Sequence, residues 1–203
     1  MDFRPDRYSA FLTPLMMPRR HQHSLGVMRV MGDLSEVYDL DTAQAMTAGL
    51  LHDAARDLPL DDLLALAREA RIAFSHPAEA HPIYLHAPVG AYLVKKDAGI
   101  SDPSVLRAIA AHSHVDPADD SDGMLTQCLR AADVLAPISD WKGMARLKSL
   151  AYAGRMEEAA LLHAGWLVEH FQNEGIPVHP HLHDTVRRLS AKLGPTEAFF
   201  ERW

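Results

Sequence analysis

The chain has one cysteine, Cys128, in 203 residues, so no disulfide can close within it and no disulfide framework holds the fold. A lone thiol fits a reducing compartment, and the expected location is cytoplasmic. With Leu125 and Leu129 beside it, Cys128 reads as a small core residue. Long apolar runs are also missing. Nothing approaches the roughly 20 uninterrupted apolar residues of a membrane span, and the first residues, with Asp2, Arg4 and Asp6, lack the apolar centre of a signal peptide. No membrane partner is expected. Positive charge is short as well: 20 lysines and arginines face 27 acidic residues, for a formal charge of -7. That balance argues against a surface that tracks phosphates, so duplex DNA or RNA is not expected as a partner. An anionic small substrate would need local positive charge.

What is present is enough apolar sequence, 48%, to fill the core of one domain over residues 1–203. Glycine and proline punctuate the chain at helical lengths and there is no repeat or linker, so the fold class is all-α, a helical bundle. The spacing predicts helices over roughly 5–16, interrupted by Pro14, and 18–38, where Leu25, Met28, Met31, Leu34 and Val37 form one stripe. Asp41 with Gln44 resembles a capping box, so a helix should run from there through Ala55, with His52 and Asp53 in its last turns. A short helix follows Pro59. Residues 73–88, with three prolines and three histidines, read mainly as a loop before a helix over about 86–98 ended by Gly99. Asp102-Pro103 opens the next helix. An acidic loop spans 115–123, and further helices cover about 124–138, 142–153, 156–173 and 181–193. The tail from Gly194 to Trp203, with Phe199 and Phe200, offers an apolar surface either to the body or to a second copy in a homodimer.

The excess residue is histidine, 13 in all. In Leu50-Leu51-His52-Asp53-Ala54-Ala55-Arg56-Asp57 an apolar run meets an imidazole and a carboxylate, whose burial without partners costs several kcal/mol. A divalent metal compensates both directly. A histidine held by its neighbouring carboxylate would serve equally for the dipeptide alone. Four more ligand-type residues recur near helix ends beside small or apolar neighbours: His23, His86, His112 and Asp133. Helices packed around one core can aim all six at one point. The alternating His179, His181 and His183 tempt a second site, but two-residue spacing at a loop-to-helix junction does not gather three rings, so surface histidines are expected. His76, His81, His114, His163 and His170 receive no functional role.

The ordered set and its flanks resemble the HD-domain metal-dependent phosphohydrolases, and within them the symmetrical dinucleoside tetraphosphatases. The matches are Arg20 with His23-Ser24-Leu25-Gly26-Val27, His52-Asp53 followed by Asp57-Leu58-Pro59, Leu85-His86 with Pro88-Val89-Gly90-Ala91-Tyr92-Leu93, Ala132-Asp133, and Pro177-Val178-His179-Pro180, spread over about residues 17–185. The resemblance implies a helical bundle around a dinuclear site, with a metal core over about 18–140 and C-terminal helices over about 141–193 packing on it. It implies two metal ions, commonly iron: one on His23, His52, Asp53 and Asp133, the other on His86 and His112, with Asp53 bridging and catalytic. Imidazole and carboxylate ligands suit iron, manganese or another six-coordinate metal, and the lack of thiolates argues against structural zinc.

Arg56 lies four residues after His52, one turn on if the helix continues, where the family usually has lysine. Arginine keeps the charge and gains a bidentate fork for phosphate, so Arg56 is assigned to catalysis as a phosphate clamp, with Arg20 beside His23 as a further substrate-binding residue. His179 has a family match and is a third candidate for the substrate pocket. Two stretches depart from the family: Ser113-His114-Val115-Asp116-Pro117 after the fourth ligand, and Val134-Leu135-Ala136-Pro137-Ile138-Ser139-Asp140 after the last. The first expectation is therefore hydrolysis of a nucleotide polyphosphate, diadenosine tetraphosphate to two ADP. The alternatives are an HD phosphohydrolase of another nucleotide or phosphoester, and a metal-dependent nucleotide sensor without turnover.

Overall fold

Proline and aspartate mark where helices begin in this chain. In the computed structural model, which describes residues 2–113, 123–136 and 143–194, five of ten α-helices carry proline in the first turn, where its missing N–H is no loss. These are α1 (Pro5–Leu12), α2 (Pro18–Val37), α5 (Pro82–Lys96), α6 (Pro103–Ala111) and α10 (Pro180–Leu193). Asp41 caps α3 (Thr42–Leu51) by accepting from Gln44 N at 2.8 Å. Asp102 caps α6 through Ser104 N at 2.9 Å and Val105 N at 3.2 Å. The others are α4 (Leu60–Glu69), α7 (Met124–Leu135), α8 (Met144–Tyr152) and α9 (Met156–Asn173). Gly154 and Gly175 end α8 and α9 at φ of 76° and 67°, a backbone that favours glycine.

No strand occurs among the described residues, and none of their helices is long and apolar enough to cross a membrane. Three expected boundaries move, the first being the end of α1, expected near residue 16 and found at Leu12. The helix expected to run through Ala55 stops at Leu51, and residues 52–57 continue as turns. The region read as loop through Pro88 is helical from Pro82 onward, preceded by a 3-10 turn, Pro77–Ala80. Pro88 sits inside α5, where it cannot donate to the carbonyl of Tyr84 four residues back. Ser113 Oγ donates to that carbonyl instead, at 3.1 Å, and so ties α5 to the end of α6. The prolines that suggested a loop are two helix starts and one repaired interruption.

The main core gathers Leu12 from α1, Val27, Met31 and Leu34 from α2, Ala48 and Leu51 from α3, Val105 and Ile109 from α6, and Leu129 from α7, all with no exposure. Cys128 lies in this core, and burial pushes its thiol up to about 12. Helices α2 and α3 approach so closely that a Cβ on Gly49 would lie 2.9 Å from Met28 Cα and 3.0 Å from Met31 Cγ. Only glycine fits there, and the contact sets α3 close against α2, at whose near ends the His23 and His52 rings meet at 5.5 Å. Two smaller apolar clusters fix the periphery. One joins α4 and α5 through Leu63, Leu85 and Val89. The other joins α5, α9 and α10 through Tyr84, Phe171 and Leu182.

Candidate metal centre

Five helices deliver the six sequence-marked residues to one place. His23 comes from α2, His86 from α5 and Asp133 from the last turn of α7, while His52 and His112 terminate α3 and α6. Asp53 follows His52 in the first turn after α3. His52 is fully buried and Asp53 3% exposed; the side chain of Asp133 keeps 36% of its surface open.

Three of the imidazoles are oriented by the helix turn that carries them. Nδ1 of His52 lies 2.8 Å from Gly49 O, Nδ1 of His86 3.0 Å from Pro82 O, and Nδ1 of His112 2.7 Å from Ile109 O. A carbonyl can only accept, so the proton is assigned to Nδ1 and the Nε2 lone pair points into the centre. There Nε2 of His86 faces Nε2 of His112 at 3.0 Å, and these two atoms lie 3.3 and 3.7 Å from Asp53 Oδ1. On the other side, Nε2 of His52 stands 3.5 Å from Asp53 Oδ2 and 3.4 Å from Asp133 Oδ1, and is buried with no hydrogen-bond partner. His23 Nε2 pairs with Asp133 Oδ1 at 2.8 Å.

Lone pairs and carboxylates converging at such distances repel one another unless a cation lies among them. The titration of the cluster expresses the same need. Burial opposes a charge on His52, yet the Asp53 and Asp133 carboxylates outweigh it and hold the ring up to about 9. Burial would raise Asp53, but His52, His112 and His86 hold it well below the usual carboxylate range. His86 is pushed down to about 4 by burial, against the pull of Asp53. The donor set therefore fits divalent metal: His23, His52 and Asp53, then His52, His112 and Asp133, and then Asp53, His86 and His112 form three overlapping groups, with the ligand atoms of each within 4.8 Å of one another. Asp53 Oδ1 faces His86 and His112, and Oδ2 faces His52.

A cavity of about 470 Å³ opens over this centre. Arg20 reaches Asp53 Oδ2 at 2.9 Å and Asp57 Oδ1 at 3.4 Å, and Asp57 in turn accepts from Met17 N at 2.8 Å. Arg20 is thus held to the carboxylates and steadies Asp53. Arg56 lines the cavity too, although the helix that would have placed it one turn beyond His52 has already ended. Its guanidinium has no hydrogen bond or ion pair with any described residue. His179 lies elsewhere and is not a cavity-lining residue. It is 1% exposed, not a surface histidine, and it caps α10 by accepting from His181 N at 3.3 Å while its Nε2 pairs with Glu79 at 3.2 Å.

One stretch of the cavity wall was not expected from the sequence. His163, Trp166, Leu167, His170 and Phe171 of α9 line the cavity, as does Arg19 of α2. Their signal was present as aromatic rings at positions 163, 166 and 170, one helix face, but such a stripe reads equally as core. The departures noted at 114–117 and 137–140 lie outside the described residues, as does the tail beyond Gly194; Ser113 and Val134 line the cavity.

Residues 20–138 match the family model of the HD domain. The chain is 34% identical over 135 residues to the symmetrical bis(5'-nucleosyl)-tetraphosphatase of Bacillus subtilis (strain 168), covering 65% of this chain and 69% of that protein. It is 30% identical over 138 residues to the protein of the same name from Halalkalibacterium halodurans, covering 68% and 72%. Among solved structures, that of a predicted HD superfamily hydrolase involved in NAD metabolism from Clostridium acetobutylicum superposes with a TM-score of 0.84 at 26% identity, covering 95% of this chain and 100% of that one. The chain belongs to the HD-domain family of metal-dependent phosphohydrolases.

Proposed function

We propose that this hydrolase holds two transition-metal ions and cuts a dinucleoside tetraphosphate at its central bridge, giving two nucleoside diphosphates. The observation that carries the reading is the convergence of four imidazoles and two carboxylates on one cavity, with Asp53 offering an oxygen to each side. His23, His52, Asp53 and Asp133 would hold one ion and His86 and His112 the other, with Asp53 shared; iron suits these ligands best and manganese next. When bound, the metals supply Lewis acidity toward phosphate oxygens and an activated water. The remaining work falls to side chains of this chain. Arg20 fixes Asp53 against rotation, and Arg56 offers a guanidinium to the charge that grows on the phosphate during displacement. Water adds across the central P–O–P bridge, its oxygen ending on one phosphorus while the bridging oxygen leaves on the other with a proton. The naming of the relatives supports the tetraphosphate substrate. One buried cysteine supports a cytoplasmic setting.

A second reading, hydrolysis of another nucleotide, draws on the relative described as involved in NAD metabolism. Reacting metal-loaded protein with diadenosine tetraphosphate in oxygen-18 water separates the two. Two ADP with label in one of them is the expected result. AMP plus ATP would overturn central cleavage; turnover of a mononucleotide alone would select the second reading, and no turnover with any of several metals would leave a nucleotide sensor.

A further inference from the structure

Arg19 and Arg20 are neighbours in the first turn of α2, yet their surroundings differ. Arg20 is taken up by carboxylates, reaching Asp53 Oδ2 and Asp57 Oδ1. Arg19 is exposed and lines the cavity, and its guanidinium has no hydrogen bond or ion pair with any described residue. Folding does not account for it. A cation in the first turn opposes the helix dipole, and α2 has no acidic residue in that turn to offset it. What Arg19 does have is position: it precedes His23 by four residues, one turn along the same face of α2.

Among the described residues, Arg56 is a second cavity-lining guanidinium without such a partner. It stands at the other flank of the ligand cluster. The turn that leads to it packs on α5, where Ala55 joins Leu85 and Val89 in one apolar cluster and a Cβ on Gly90 would lie 3.6 Å from Ala55 N. Its charge is felt there: burial depresses His81 and His86, and Arg56 adds to the depression of both. Arg56 thus belongs to the side where His86 and His112 face Asp53 Oδ1. Arg19 belongs to the side where His23 meets Asp133 and His52 faces Asp53 Oδ2. Two unpaired cations bracket the residues fitted for metal, in a chain whose formal charge is -7. A single phosphate at the centre needs only the nearer of them. A chain of phosphates that crosses the centre meets both.

We propose that Arg19 is a specificity-determining residue, binding the phosphates of the substrate half that extends past His23 while Arg56 serves the half on the His86 side. The ligand class this selects is a polyphosphate long enough to reach from one flank to the other, as a dinucleoside tetraphosphate is and a nucleoside diphosphate is not. The place of the reacting phosphorus rests on the phosphohydrolase reading; the two cationic flanks stand on the structure.

The test compares two probes by calorimetry on the full metal-loaded chain. One is ADP, which can occupy one flank. The other is diadenosine tetraphosphate with a methylene group in place of its central bridging oxygen, which spans both flanks and resists hydrolysis. The unaltered protein should bind the analogue about ten-fold or more tightly than ADP, because a second charge-assisted phosphate contact is made. Arg19→Ala should weaken the analogue about ten-fold and ADP by no more than about two-fold, because the Arg56 flank remains open to ADP. Arg19→Lys, which keeps the charge, should retain most of the affinity for the analogue. Metal content and Tm should not fall in either variant, since α2 loses no favourable contact. In turnover of diadenosine tetraphosphate, Arg19→Ala should raise KM about ten-fold with kcat within about three-fold, because a contact remote from the reacting phosphorus is present in ground and transition states alike. An analogue bound no more tightly than ADP by the unaltered protein would overturn the proposal. So would an Arg19→Ala variant that keeps full affinity for the analogue, or that loses affinity for ADP to the same extent. Failure of the tetraphosphatase reading has a different signature: no turnover, with the preference for the analogue and its dependence on Arg19 intact.

Discussion

The two walls of the cavity are built on opposite plans. The metal-side wall is assembled from five helices, and its ligands are separated by as many as 110 residues, from His23 to Asp133. The aromatic wall is one face of one helix, His163 to His170 of α9. On the first wall each of the six ligand-type residues has a defined polar partner; on the second the rings are placed by packing and by the anchor behind them, where Tyr84 meets Phe171 edge-on and its hydroxyl joins Pro177 O and His179 N. Charge chemistry requires atoms fixed from several directions, which only separate elements can supply. The walls should accordingly fail in different ways when altered.

The largest effect should come from Asp53→Ala, which removes the carboxylate whose two oxygens face His52 on one side and His86 and His112 on the other. Both metals are expected to be lost, with kcat/KM falling at least about a thousand-fold. Elemental analysis checks the first part, and normal metal content would take Asp53 out of the centre. Gly49→Ala should damage the metal side through packing alone. Its Cβ would press on Met28 Cα, at a cost of about 1–3 kcal/mol in urea denaturation. Arg56→Ala should leave metal content and stability intact while lowering kcat/KM about ten-fold or more, on the order of 1.4 kcal/mol in the transition state. An unchanged kcat/KM would make Arg56 a bystander.

The smallest effect concerns the anchor of the aromatic wall and is read by pH. Burial pushes His179 down, with Glu79 opposing and His181 and His76 adding to the depression. Glu79 is also held below its usual range, because hydrogen bonds from Ser75 and His179 outweigh its burial. Both groups bind protons more readily in the unfolded chain, so their contribution to stability is complete above the ordinary histidine value near 6.5 and is lost as pH falls through their folded values. His179→Gln should therefore flatten the decline of Tm on acidification relative to the unaltered protein. An identical slope in both would remove this pair as the acid-sensitive joint.

The contrast between the walls also explains what could be read from the chain. Histidine and aspartate among leucine and alanine at helix ends conflict with burial, and that conflict is visible residue by residue. It marked His23, His52, Asp53, His86, His112 and Asp133, and the structure gathers them. Trp166 among Leu161, Leu162 and Leu167 conflicts with nothing, because an aromatic stripe is what a core helix should have. Arg56 was placed in the cavity by a spacing argument whose helix does not exist beyond Leu51; the turns after it bring the side chain to the same cavity by another route. Pro88 misled in the opposite direction. Its cost depends on whether some distant donor reaches Tyr84 O, and Ser113 is 29 residues away.

The three Nδ1-to-carbonyl contacts bear on how fast the centre can load. Because Gly49, Pro82 and Ile109 belong to the same turns as the rings they orient, His52, His86 and His112 are aimed before any ion arrives and need not search rotamers to capture one. The entropy of aligning these donors is lost during folding of the helices, not at the encounter. Association should then be limited by how quickly a hydrated cation sheds water at the cavity mouth, so uptake rates across a series of divalent metals should follow their water-exchange rates more closely than their affinities for the site.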